Sequence, residues 1–120
     1  MVNVIRDKSF EFALRIVKLS QFLQSEKREF VISKQVLRSG TAIGALVREA
    51  EHAESKADFI HKMAIAQKEA NETAYWLELL HQSGYVDKKG FDSMINEQIE
   101  IAKILASIIL TAKKRVVNCE

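Results

Sequence analysis

QVLRSGTAIGALVREAEHAESKADFIHKMAIAQKEANETAYWLELL, from Gln35 to Leu80, is the stretch whose periodicity decides the fold. At about 100° per residue its first half divides cleanly into two sides. Val36, Gly40, Ile43, Leu46, Val47, Ala50 and Ala53 fall on one side, and Lys34, Arg38, Thr41, Arg48, Glu49 and His52 fall on the other. The second half repeats the pattern with Phe59, Met63, Ala66, Ala70, Ala74 and Leu77. Ser55-Lys56-Ala57-Asp58 separates the halves as a capping-box-like start. Two amphipathic helices joined by a tight turn follow. Gly40 and Gly44 weaken helix propensity, so their place inside the first helix points to close backbone approach by another helix.

Working outward, Asp7 is a candidate N-cap for a helix with one stripe of Phe12, Ile16, Leu19 and Leu23 and a second of Phe10, Ala13, Leu14 and Val17. Beyond Leu80, Gly84 is a C-terminal stop and Asp87 a cap for a last helix. The predicted helices cover about 8–25, 31–54, 56–83 and 88–114, with a frayed tail from Val116. Short connections make neighbouring helices antiparallel. The expected fold is all-α, an up-down-up-down four-helix bundle forming one domain over 1–120.

Bulk composition agrees. The 120 residues are 48% apolar and 28% charged, with no proline and four glycines, too little punctuation for an all-β fold. Eighteen Lys and Arg against sixteen Asp and Glu leave a net charge of +2, no nucleic-acid signature by itself. The single cysteine, Cys119, has no internal disulfide partner. The N-terminus lacks the apolar core of a signal peptide, and Ile99–Ala112 is interrupted by Lys103 and too short for a membrane span. A cytoplasmic protein is the expectation.

Apolar positions exceed what one core needs. Ile65, Trp76 and Leu79 lie off the main stripe of the third helix, and Ile101 and Ile108 widen that of the fourth beyond half its circumference. Further copies of the chain are the expected cover for these five, the alternative being off-axis packing inside the bundle.

Glu49-Ala50-Glu51-His52 and Glu78-Leu79-Leu80-His81 both match the Glu-x-x-His motif of di-metal bundles. In a helical hairpin they fall at opposite ends, roughly 25–30 Å apart. His61 sits on the polar side of its helix, and there is no Gly-rich phosphate loop. No catalytic residue, metal or cofactor is assigned, and the chain is expected not to be an enzyme. Arg38, Arg48, Glu49, Glu69 and Glu72 form a candidate ion-pair network, within the chain or between subunits. Arg15, Lys18, Lys34, Arg38, Arg48, Lys113, Lys114 and Arg115 are candidate phosphate contacts if assembly makes them converge. Aromatic residues do not interleave with them along the sequence, so backbone and shape recognition of structured RNA is the expected mode.

Gln35, Leu37, Arg38, Ser39, Ile43 and Glu49, then Ser55, Lys56, Phe59, Ile60, Ala64, Ala66, Glu69, Glu72 and Leu77, with the turn Gly84-Tyr85-Val86, carry a family resemblance. The chain resembles the bacterial four helix bundle protein family, also called the 23S ribosomal RNA intervening-sequence protein family. That family includes the accessory variability proteins of diversity-generating retroelements. The resemblance implies a barrel-like homopentamer around a central channel. For retroelement members it also implies a basic surface that binds nucleic acid and a reverse transcriptase. It carries no catalytic residue over. This chain departs from the family's usual residues at Ala42, often Ser, at Leu46, often Asn, and near Phe30, where a proline is common. Two functions compete: an oligomer engaging structured RNA or a nucleic-acid enzyme, and a protein-interaction scaffold with no nucleic-acid role.

Overall fold

A computed structural model describes the backbone of residues 2–119 and the side chains of residues 3–115. It contains four helices, α1 Val2–Glu26, α2 Ile32–Glu51, α3 Lys56–Gln82 and α4 Lys88–Cys119, and no strand among the described residues. They pack as a bundle of 54 × 22 × 20 Å. The contacts run α1 to α2, α2 to α3, α3 to α4 and, more sparsely, α4 to α1, and among the described residues the backbones of diagonal helices do not come into contact. Ser20 meets Ser33 while Gly44 approaches Ser9, and Ser39 meets Thr73 while Glu49 meets Lys62. The helix α4 runs to Cys119, past the tail expected from Val116; the Cys119 side chain lies outside the described ones.

Each turn has an identifiable lock. Arg28 takes the left-handed conformation at φ +53°, and the Glu29 N–H returns to the Leu23 carbonyl at 2.9 Å. Glu29 then turns its carboxylate onto the start of α2, accepting from the N–H groups of Ser33 at 2.7 Å, Ile32 at 3.0 Å and Val31 at 3.2 Å. Burial opposes ionisation of this carboxyl, but the three backbone donors and the Ser33 hydroxyl outweigh it and lower the pKa. Ser55 Oγ accepts from the Asp58 N–H at 3.0 Å, and Asp58 Oδ2 accepts from the Glu54 N–H at 3.1 Å. Gly84, at φ +87°, ends α3 with Tyr85 N–H bonded to the Leu80 carbonyl at 2.9 Å and Gly84 N–H to His81 at 3.1 Å. Asp87 Oδ1 receives the Gly90 N–H at 2.8 Å and caps α4.

Asp7 caps nothing: α1 already begins at Val2, and Asp7 is an exposed residue inside it. The reason lies in Ile5, which is fully buried and draws the first turn into the core. That core is Ile5, Phe12, Ile16 and Leu23 from α1, Val36, Ile43, Val47 and Ala50 from α2, Met63, Ala66, Ala70, Leu77 and Leu80 from α3, and Met94, Ile101, Leu105, Ile108 and Ile109 from α4. Polar groups inside it are paired. The Ser39 and Thr73 hydroxyls are 3.0 Å apart, Thr73 donates to the Glu69 carbonyl at 2.8 Å, and Gln98 Nε2 donates to the Ala70 carbonyl at 2.9 Å. The first of these bonds pins α2 to α3 and the last pins α3 to α4, while the Thr73–Glu69 bond stays within α3.

The two helix glycines differ. A Cβ on Gly40 would stand 2.7, 2.8 and 3.0 Å from three side-chain atoms of buried Ile16, whereas on Gly44 its nearest neighbour would be Ser9 Oγ at 3.4 Å. Overpacking costs about 1–3 kcal/mol, while replacing glycine by alanine in a helix returns about 1 kcal/mol. Gly40→Ala is therefore expected to lower the urea midpoint and Gly44→Ala to hold or raise it; equal midpoints would refute the fit. Glu29 has a depressed pKa, so its stabilisation is complete above the ordinary carboxylate range near 4.5 and is lost as pH falls through the lower folded value. Glu29→Gln is expected to cost about 1 kcal/mol at pH 7, and the gap from the parent protein should close in acid. A gap independent of pH would rule out the ionised cap.

Candidate nucleic-acid interface

The candidate cations do not converge on one surface. Arg38 projects from α2 to α3, its Nη1 3.1 Å from Glu69 Oε1 and its Nη2 paired with Glu72. Glu72 also accepts from the Trp76 indole N–H at 3.2 Å, so one carboxylate joins the arginine to the chain's single tryptophan. Glu49 pairs with Lys62 at 3.1 Å. Arg48 turns the other way, its guanidinium carbon 5.1 Å from the Phe10 ring centroid on α1. The expected network thus separates into Arg38 with Glu69 and Glu72, Glu49 with Lys62, and Arg48 on an aromatic face.

On the seam between α1 and α4, Arg15 pairs with Glu97 and donates to Ser93 Oγ at 3.0 Å, and Lys8 pairs with Glu100. The hydrogen bond and charge of Glu100 raise the Lys8 pKa. Lys18 and Lys34 are exposed, as are Lys113, Lys114 and Arg115 late in α4. None of these five has a carboxylate within salt-bridge distance among the described residues.

Lys18 and Arg15 belong to a groove that the sequence did not disclose. It measures about 470 Å³ and runs between α1 and the α3–α4 turn, lined also by Phe22, Lys27, Tyr85, Asp87 and Met94. Phe22 is 42% exposed, and Lys27 Nζ lies 5.9 Å from its ring centroid. Aromatic and basic residues interleave here in space, from elements far apart in the chain.

The predicted subunit-interface residues need correction. Ile101 and Ile108 are 1% and 7% exposed and belong to the core of this one chain, so a second copy has almost nothing of them left to cover. Their breadth around α4 is absorbed because α1 and α3 both pack against that helix. Ile65, Trp76 and Leu79 are half-buried. The exposed apolar residues are others. Phe10, Leu14 and Val17 repeat at helical spacing on the outside of α1, with Phe10 beside Arg48 of α2. Ile99 and Leu110 are exposed on α4, flanked by half-buried Ile95 and Ala102, and Tyr75 is exposed on α3. The stripe of Phe10, Leu14 and Val17 was legible as a second stripe, but nothing in the sequence said that it faces outward.

The two Glu-x-x-His motifs lie apart. His52 ends α2 near Glu49, while His81 stacks on Phe91 at 4.6 Å with Nδ1 3.0 Å from the Val86 carbonyl oxygen. No cluster of three metal-ligating side chains occurs among the described residues. No helix among them is long and apolar enough to cross a membrane.

Arg38 is half-exposed, so its pairs are worth at most ~1 kcal/mol. Arg38→Ala is expected to cost no more than that at low salt and still less at high salt, read from urea midpoints. A larger, salt-independent loss would mean that the arginine stem, not its charge, holds α2 to α3.

Comparison with curated proteins finds no match. Among solved structures, the chain is similar to a protein of unknown function from the S23 ribosomal protein family of Bacteroides thetaiotaomicron VPI-5482. The two are 59% identical with a TM-score of 0.89, over 90% of this chain and 96% of that one. The model of the 23S rRNA-intervening sequence protein family matches residues 2–107. With that span covering nearly all of α1 to α4, the chain belongs to the 23S rRNA-intervening sequence protein family.

Proposed function

We propose that this protein is a non-catalytic, self-assembling, cytoplasmic antiparallel helical bundle that binds RNA, or an enzyme acting on nucleic acid such as a reverse transcriptase, through basic surfaces. The observation that carries assembly is the pair of exposed apolar surfaces. Phe10, Leu14 and Val17 lie on the α1–α2 half, and Tyr75, Ile99 and Leu110 on the α3–α4 half. With contacts running α1 to α2 to α3 to α4 and no diagonal, those halves are opposite sides of the molecule. Two different surfaces on opposite sides suit head-to-tail contact, which closes as a ring when the rotation between copies permits. The family resemblance favours five copies. Such a ring covers the apolar stripes and leaves the α1–α4 and α2–α3 faces open. It also repeats Lys18, Lys34, Lys113, Lys114 and Arg115 around its axis, which supplies the convergence that one copy lacks.

A second reading, a protein-interaction scaffold without a nucleic-acid role, is favoured by one observation. Arg15 and Arg38, two of the eight candidate phosphate contacts, are already neutralised by carboxylates of the same chain. Salt separates the readings. Binding through free lysines is expected to weaken steeply with ionic strength.

Sedimentation velocity is expected to show a single oligomer for the parent protein. The exposed-face variant Phe10→Asp with Leu14→Asp should sediment as a monomer of unchanged helicity. A monomeric parent protein at micromolar concentration would reject assembly. Anisotropy with structured RNA at low and moderate salt tests the other half, and no binding at low salt would leave the scaffold.

A further inference from the structure

We infer that the groove between α1 and the α3–α4 turn is a site for an unstacked nucleotide of single-stranded RNA, an inference that rests on the nucleic-acid reading above. Three cations line it, Arg15, Lys18 and Lys27, against one carboxylate, Asp87. That carboxylate already accepts the Gly90 N–H at 2.8 Å, as the cap of α4. Arg15 is compensated by Glu97 and held by Ser93, so it serves as a fixed wall. Lys18 and Lys27 have no carboxylate within salt-bridge distance among the described residues, and they supply the free charge.

The aromatic groups give the groove its second specificity. Phe22 presents an exposed ring with Lys27 Nζ 5.9 Å from its centroid, and half-buried Tyr85 stands in the same lining. Tyr85 is fixed in place because its N–H closes the α3 terminus on the Leu80 carbonyl, directly after Gly84 at φ +87°. A cation over an exposed aromatic face, in a concavity of about 470 Å³, suits a flat base with a phosphate beside it. An acidic peptide would satisfy the lysines and leave Phe22 without a stacking partner. A duplex offers its phosphates but keeps its bases stacked away from Phe22 and Tyr85. The groove also lies on the α1–α4 face, which the proposed assembly leaves open, so a ring would present one such site per copy.

The test is fluorescence anisotropy of the full-length protein with a labelled oligouridine of about ten nucleotides, a hairpin duplex and an oligoglutamate, each across a salt series. Lys18→Glu with Lys27→Glu should weaken single-strand binding and flatten the slope of log K against log salt by about 1.4, two phosphates at roughly 0.7 each. Phe22→Ala should weaken it roughly tenfold with the slope unchanged, the signature of lost stacking. Lys56→Glu with Lys68→Glu carries the same charge change away from the groove and should retain both affinity and slope. The substituted side chains at 18, 22 and 27 are exposed, and circular dichroism checks that each variant keeps its helicity. Groove variants that bind the oligouridine like the parent protein, or oligoglutamate binding as tightly as RNA, would overturn the site. If duplex still binds in the first case, the broader nucleic-acid reading survives. No binding of any RNA at low salt overturns both.

Discussion

The bundle depends on the place where Ile16 of α1 lies against the bare backbone of Gly40. The absent Cβ lets a branched side chain sit where any other residue at position 40 would collide with three of its atoms. Because the fit is steric, it sets both the spacing and the register of α1 against α2. From that register follow the burial of Phe12 and Leu23 in the core and the meeting of Ser20 with the Ser33 carbonyl at 3.2 Å. The same register brings Arg48 over Phe10. The polar bonds of Ser39 with Thr73, and of Gln98 with Ala70, then carry the alignment from α2 to α3 and α4.

The electrostatics of the surface are organised by helix pairing more than by net charge. Glu69 and Glu72 of α3 meet Arg38 at two points and Glu97 with Ser93 of α4 meets Arg15, while Lys18, Lys27 and Lys34 have no carboxylate within salt-bridge distance among the described residues. Arginine's planar fork suits such two-point pairing, whereas a flexible ammonium is better fitted to a mobile polyanion. A mildly basic chain can therefore hold a locally basic groove without an excess of positive charge elsewhere.

Much of the fold was legible in the sequence, because the signals were local. The periodicity of α2 and α3, the caps at Ser55 and Asp87 and the stop at Gly84 each depend on residues within one or two turns. Asp7 misled because a capping residue marks a helix start only when the turn before it is free, and Ile5 is buried. Ile101 and Ile108 misled because a wide apolar stripe does not say whether a second helix or a second molecule covers it. The basic residues were legible as types, but their partners were not. The groove escaped notice because Phe22 and Tyr85 become neighbours only after α1 and the α3–α4 turn are assembled.

One consequence of the connectivity concerns time rather than structure. Three of the four helix contacts join sequence neighbours across short turns, so they close small loops and form early. The seam of α1 with α4 joins the two ends of the chain and is bridged by Lys8 with Glu100 and Arg15 with Glu97. It is expected to close last and, holding the least packing, to open first in sub-global fluctuations. Amide protons near the seam, on the face that carries the groove, are thus expected to exchange with solvent ahead of those in the α2–α3 hairpin.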